Sequence, residues 1–377
     1  MRGYASQAVV VFHLFAISAI LRGMWFAKIP LAWNSGVDFF FVLSGFLLSI
    51  PFLQGSKADD RRRQKGPSKL KQYFIKRAFR ILPVYYLSLA GTLLFFSRGA
   101  TWQEIASSIF FLQNFNPNTF DQINGVYWTL VIEEIFYATL PLFVIFFRGR
   151  RWTYALPVCI AISTFYRVIV SGLFVNNLFL ENFYLWQYPS YIEHFAIGAT
   201  LGNIFVNRGI FAGKFDTNQR ILGVIALIIA TQYISGLFYN ENGYNFSIAN
   251  LIFALEYSGL IYYTLSSPLT SWIRWIFSNG FAQYLGKISY STYVWHLPIQ
   301  ATLYLLKLPL IEWVIMSYSL AITLSVASYY LVERPFLRLR YRLVPPETIR
   351  LPKKAVDQGG EKGNAPSGPV PPPSLPR

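Results

Sequence analysis

The sequence predicts an all-α fold, a polytopic integral membrane helix bundle of about ten transmembrane helices. Composition points there first: of 377 residues, 54% are hydrophobic and 18% aromatic, but only 13% are charged, against roughly 25% in an ordinary soluble domain. Apolar runs of spanning length are the second sign. A helix needs about twenty mostly apolar residues to cross roughly 30 Å of hydrocarbon, and ten stretches qualify, near 5–21, 36–53, 81–97, 127–147, 153–173, 184–205, 221–238, 249–266, 284–306 and 311–332. Charge asymmetry between alternate connections is the third.

Taken in order, the first run follows Arg2 and resembles a signal peptide in its basic start and short apolar core. An uncleaved helix fits better, because His13 interrupts the core and no small-residue cleavage site follows. The run is short at its start, so the natural start is expected upstream of Met1. One set of connections then collects Lys57, Arg61, Arg62, Arg63, Lys65, Lys69, Lys71, Lys76, Arg77 and Arg80, later Arg148, Arg150 and Arg151, then Arg208, Lys214 and Arg220, and last the basic C-terminal segment. The other set holds little beyond Arg22, Lys28, Arg98 and Lys307. The positive-inside rule therefore puts both termini in the cytoplasm, and Glu181–Asn182 and Asn240–Glu241–Asn242 outside.

Residues 1–340 are read as the transmembrane domain and 341–377 as a basic, then Pro/Gly-rich cytoplasmic tail that is expected to be disordered. The excess of 33 Lys+Arg over 17 Asp+Glu would suit nucleic acid in a soluble protein. Here it is read as topology, with no nucleic-acid partner expected. The polar loop 54–76 is a solvated orientation signal or a surface for anionic lipid headgroups. The single cysteine, Cys159, allows no intramolecular disulfide and no thiolate cluster.

Ionisable residues within spans cost several kcal/mol on even lenient insertion scales, about 2.5–3.5 each, so each asks for a role or a partner. His13 lies eleven residues after Arg2. Eleven steps of about 100° return to nearly the same helix face some 16 Å further on, so one stripe carries a cation at the cytoplasmic edge and an imidazole near mid-membrane. A neutral imidazole accepts protons; a packing histidine is the plain alternative. The chain has three histidines, His13, His194 and His296, with no His-x3-His spacing, and no metal is expected.

Glu133 and Glu134 are adjacent within YWTLVIEEIFY, and neighbours on a helix differ by about 100°. One is expected to line a site while the other meets a neighbouring helix. Arg77 and Arg80 share a helix face just before Pro83, which suits a phosphate-rich ligand approached from the cytoplasm, or membrane anchoring by snorkelling. Asp38 is expected to meet a nearby arginine, with Ser44 and Gly45 letting helices approach closely. Glu333–Arg334 closes the last span as a self-neutralising pair, and the ninth span places hydroxyls along its length and ends in His296 near the outer side.

Together these residues resemble the membrane-bound acyltransferase-3 family of bacterial O-acetylases, which modify surface polysaccharides, lipopolysaccharide, Nod factors and macrolides. The matching motifs run in order: Arg2-Gly3 with His13 in the spacing R-x10-H, GVDFFFVLSGFLLS from Gly36, Arg77-x-x-Arg80 before Pro83, WTLVIEEIFY from Trp128, ISYSTYVWHLP from Ile288 and ERPF from Glu333. They cover residues 2 to about 336. The resemblance implies an inner (plasma) membrane enzyme that moves an acyl group, usually acetyl from acetyl-CoA, from the cytoplasmic side to a saccharide hydroxyl outside or on a lipid carrier. It implies His13 as the catalytic histidine with Arg2 in support, Arg77 and Arg80 handling the acyl-CoA donor, and Glu133 and Glu134 as the family's paired glutamates, one of them orienting the imidazole. Tyr191 stands where the family often carries arginine, which puts acceptor handling in doubt. The extra C-terminal hydrolase-like domain of some members does not follow. Membrane lipid, acyl-CoA and a saccharide acceptor are the expected partners. A proton-coupled transporter is the rival reading, since membrane carboxylates and histidines also build proton relays, but the inverted repeats common in transporters are not visible.

Overall fold

The protein is described by a computed structural model covering residues 1–54, 69–96, 99–208, 217–237, 239–240, 243–244, 247–267 and 271–344. Most of the basic loop, Lys214, Glu241, Asn242 and the tail beyond residue 344 lie outside the described residues. Every one of the ten apolar stretches falls on a helix: α1 (Arg2–Ile17), α2 (Gly36–Leu53), α3 (Lys69–Gly91), α4 (Tyr127–Phe147), α5 (Trp152–Leu173), α6 (Ile192–Arg208), α7 (Thr217–Leu237), α8 (Ser247–Ser266), α9 (Gly280–Leu305) and α10 (Leu310–Ser328). A further helix, α11 (Arg334–Leu343), follows α10. Shorter helices such as Leu178–Leu185 occupy connections, and the described strands amount to one pair of two-residue segments, with Tyr239 opposite Tyr244.

Apolar runs become helices in lipid because each backbone N–H and C=O must then find its partner within the segment. Six helices are long and apolar enough to cross a membrane: Trp33–Leu53, Leu70–Phe96, Tyr127–Phe147, Trp152–Leu173, Gln219–Leu237 and Leu310–Leu343. The number falls short of the ten expected, α1, α6, α8 and α9 being missing, and for three of these the reason is identifiable. α1 and α6 span only 16 and 17 residues, while α9 dilutes its apolar content with buried Ser289, Ser291, Thr292, His296 and Gln300. Large side chains also face outward, as lipid permits: Leu94, Phe95, Leu173 and Leu331 are each at least 70% exposed. The chain is a multi-pass membrane protein on these features.

Two pairs of helices set the architecture. α2 and α6 make the most extensive contact in the fold, and the contact is close because it is built from glycine. A Cβ added at Gly198 would meet the Val42 carbonyl oxygen, and one at Gly45 would lie 2.4 Å from that of Phe195. Small residues at such crossings let backbones pack where larger side chains would hold them apart. α1 lies along α9 in the same way: a Cβ on Gly3 would come within 2.5 Å of Leu285 and 2.7 Å of the Gly286 nitrogen. Further along, Gln300 donates from its amide to the Val10 carbonyl, so α1 and α9 run parallel. α10 runs back against α9, tied by Trp313 to the Gln300 carbonyl and by Trp295 to Ser328.

A five-residue π-helical turn, Tyr329–Glu333, joins α10 to α11. Such turns rotate the side chains that follow, and here Glu333 is turned inward to 1% exposure. Glu333 receives a hydrogen bond from Ser291 at 3.0 Å, while the Arg334 guanidinium lies over the Tyr330 ring at 5.5 Å.

Enlarging the glycine contact tests this packing. Gly198→Val is expected to destabilise the bundle by at least the ~1–3 kcal/mol of an overpacked core, read as a lower unfolding midpoint in detergent, whereas Gly223→Ala, where a Cβ meets nothing within 4 Å, should leave it within error.

Candidate active site

His13 stands on α1 level with His296 on α9. The register set at Gly3 and Leu285 brings them together, because ten further residues on one parallel helix and eleven on the other rise nearly equally at about 1.5 Å per residue. His13 Nδ1 lies 2.9 Å from the Val9 carbonyl oxygen and 3.1 Å from His296 Nε2. His296 is fully buried, and its Nδ1 lies 3.2 Å from the Thr292 carbonyl oxygen. The imidazole thus takes its orientation from Val9 and His296 rather than from a glutamate of α4.

Beside His13 opens a cavity lined also by Asn34, Val37, Asp38, Trp128, Arg167, Trp186, Tyr191, Asn250 and Tyr293. Trp128 and Trp186 stack with ring centroids 5.1 Å apart and planes 18° from parallel. Tyr191 lies 5.7 Å from Trp128. The result is an aromatic wall facing a polar one.

The polar wall rests on two buried pairs, one histidine–carboxylate contact and one arginine–carboxylate ion pair. His194 Nε2 is 2.7 Å from Asp38 Oδ1, and Arg167 Nη1 is 2.7 Å from Glu193 Oε1. Arg167 also donates to the Ser190 carbonyl, and the Ser163 hydroxyl caps the Glu193 amide. Asp38 was expected to meet an arginine and meets a histidine instead. The nearest cation along the sequence is not the nearest in space once α2 and α6 pack through glycine.

A second cavity lies toward the N-terminal end of α1. It is lined by Arg2, Phe40, Arg80, Glu133, Tyr137, Ser289 and Tyr290, and shares Val37 and Tyr293 with the first. Glu133 accepts a hydrogen bond from Ser44 at 2.7 Å, and Tyr290 donates to the Ile81 carbonyl, tying α9 to α3. The adjacent carboxylates divide as the helix period requires: Glu133 lines the cavity and Glu134 does not. Arg77 sits one layer away, its guanidinium 5.7 Å from the Tyr137 ring and 6.0 Å from that of Tyr73. Arg2 feels both Arg80 and Arg77 as like charges, and Glu133 as the opposite one. Arg2 and His13 therefore share a helix but line different cavities.

Sequence reasoning overlooked His296 as a partner of His13, the tryptophan stack and the Arg167–Glu193 pair. The signal for His296, Arg167 and Glu193 was the same, an ionisable residue inside a predicted span, while the tryptophan stack left none.

The acyltransferase domain family matches residues 1–334. A protein of the Acidianus two-tailed virus with a provisional acetyltransferase name is 26% identical over 314 residues, covering 80% of this chain and 82% of that protein. A Staphylococcus aureus protein provisionally named an O-acetyltransferase is 24% identical over 379 residues, covering 89% of this chain and 56% of its own length. A Listeria monocytogenes peptidoglycan O-acetyltransferase is 26% identical over 294 residues, 70% of this chain and 44% of that protein. The chain thus spans about half the length of these two bacterial relatives. No solved structure matches the chain.

Breaking a buried pair strands its partner's charge, at a cost of about 3–5 kcal/mol, whereas replacing both members by apolar groups is often neutral. Glu193→Gln should therefore lower the unfolding midpoint sharply, and the double change Arg167→Met with Glu193→Met should recover most of the loss.

Proposed function

The chain belongs to the acyltransferase-3 family, and we propose that it moves an acyl group, acetyl in the usual case, from a cytoplasmic acyl-CoA to a hydroxyl of an extracytoplasmic or lipid-linked saccharide. The observation that carries this reading is the meeting of two unlike cavities at Val37 and Tyr293, one holding His13 and the other Arg2 and Arg80. A group-transfer enzyme serving two compartments needs such a pair of sites, with the reacting atoms at their junction.

The arginine cavity suits the donor. Guanidiniums present planar forks of donors that match phosphate, and Arg2 and Arg80 line it with Glu133 as a counter-charge, while Arg77 adds its charge from one layer away. The tryptophan cavity suits the acceptor. Sugar faces offer C–H surfaces that lie on aromatic rings, while their hydroxyls need polar partners, here Asn34, Asn250, Asp38 and Arg167. Tyr191 on this wall gives the acceptor a hydroxyl where a family arginine would give a charge.

In the proposed reaction His13 takes the proton of the acceptor hydroxyl at Nε2, which carries no hydrogen-bond partner among the described residues. The hydroxyl oxygen then bonds to the thioester carbonyl carbon and the carbon–sulfur bond breaks. His13 returns its proton to the departing thiolate, so the charge balance closes. General-base help of this kind is typically worth about 10²–10⁴-fold. Arg2 and Glu133, in the donor cavity, act on donor charge rather than on the imidazole.

The reading includes ten spans with both termini cytoplasmic in the inner (plasma) membrane. Parallel α1 and α9 support it, since a chain that runs in its first direction again has made an odd number of crossings in between, here the seven of α2 to α8. The four helices that fall short of ordinary spanning length or apolarity are internal or polar-faced, as helices around a site should be.

Transfer of labelled acetyl from acetyl-CoA to an extracted glycan fraction, by membranes containing the chain, is the direct test. His13→Ala should abolish it at equal abundance. Arg80→Ala should raise the KM for donor by about 10- to 100-fold, the range of a charge-assisted hydrogen bond, and Trp186→Ala should raise the KM for acceptor with the donor's unchanged. No transfer by the wild type across acyl-CoA donors and a broad acceptor panel would favour the transporter.

A further inference from the structure

The hydrogen bonds around the histidine pair determine where its protons sit. A backbone carbonyl can only accept, so the Thr292 carbonyl requires the proton of His296 on Nδ1, leaving a lone pair on Nε2. The Val9 carbonyl likewise requires the proton of His13 on Nδ1. That N–H, 3.1 Å from His296 Nε2, meets the lone pair there. The chain Thr292 carbonyl, His296, His13 is then consistent in one direction, and it ends in a lone pair on His13 Nε2 at the cavity.

The Tyr293 backbone also lies within hydrogen-bonding reach of the His296 ring, and its carbonyl, like that of Thr292, can only accept. His296 is buried with 0% exposure; its ring neighbours are Tyr293, at 5.8 Å between centroids, and His13, at 5.0 Å. The Tyr293 hydroxyl is engaged with Thr129 at 2.8 Å. Both imidazoles stand on helices locked at two levels, by Gly3 against Leu285 and by Gln300 to Val10.

We propose that His296 is a positioning residue for His13: its bare Nε2 accepts the His13 Nδ1–H, holds the ring in one tautomer, and shares the proton's charge when Nε2 takes up hydrogen from the acceptor. The pair works as an uncharged counterpart of the carboxylate that orients histidine in a triad. An uncharged second acceptor suits a mid-membrane site, because a carboxylate there would itself need a partner. The proposal rests on His13 acting as base, as set out above.

Two measurements test it separately from that reading. In wild-type protein with 15N-labelled histidine in nanodiscs, His13 should show a protonated Nδ1 and bare Nε2, with scalar coupling across the hydrogen bond to His296 Nε2. Absence of the coupling, or the opposite tautomer, would overturn the proposal whatever the enzyme activity. In the transfer assay, His296→Phe should lower kcat by about 10- to 100-fold with KM nearly unchanged, less than the roughly 10⁴-fold that follows loss of a charged third member. His296→Gln, whose amide oxygen reaches the Nε2 position and accepts, should recover activity to within about 3-fold. A Phe variant as active as wild type, or a Gln variant no better than Phe, while His13→Ala is inactive, would sink the proposal and leave the acyltransferase reading standing. If instead the wild type transfers nothing, that reading falls and the coupling alone decides whether the pair exists.

Discussion

Gly3 lets α1 lie against the backbone of α9 at Leu285 and Gly286, and because the two helices run parallel, the register set there is carried along both to His13 and His296. Two rigid rods of equal rise keep whatever alignment they start with. The spacing between Arg2 and His13 thereby becomes the distance between two cavities, with a guanidinium in one and an imidazole in the other. A Cβ at position 3 would push the helices apart at their start and tilt the whole pair. The meeting of His13 with His296 thus depends on a missing methyl group at the other end of α1.

Burial then dictates how the remaining charges are arranged. An ion in hydrocarbon has no water to fall back on, so each is turned inward and answered: Asp38 by His194, Glu193 by Arg167, Glu133 by Ser44 and the field of Arg2. These pairs do not sum to a large gain in stability, since desolvation cancels much of the attraction. They do fix geometry. α2, α5 and α6 are cross-linked by the Asp38, Arg167, Glu193 and His194 cluster, and this holds one wall of the tryptophan cavity in place while the stacked rings of Trp128 and Trp186 hold the other.

Much of this was legible in the sequence, and the exceptions share a cause. Apolar runs located every long helix because lipid makes hydrophobicity and helix formation the same requirement. His13, Arg2, Arg80 and Glu133 could be singled out because a charge within a span is conspicuous, and the helix period separated Glu133 from Glu134 without any coordinates. What could not be read was partnership. Asp38 meets His194 across 156 positions and His13 meets His296 across 283, pairings decided by which glycines bring which helices together. Glu333 shows the same limit locally: beside Arg334 in sequence it resembles a closed ion pair, but the π-helical turn rotates it inward to Ser291. Span counting by apolarity fails in the same region, since α9 must carry the polar side chains the site requires.

The septum between the cavities follows from these constraints. Val37 is delivered by α2 and Tyr293 by α9, and both residues line both cavities. Tyr293 is fixed at its hydroxyl by Thr129 on α4 and one turn before His296 on its own helix. The partition is therefore built from the same helix that carries the proposed positioning histidine, and any shift of α9 relative to α4 would move the barrier and the base together. The proposed transfer needs this coupling, because an opening that admitted both substrates without holding His13 in register would let water reach the donor. Packing α9 between α1 and α10 through Gln300, Trp313 and Trp295 opposes such a shift.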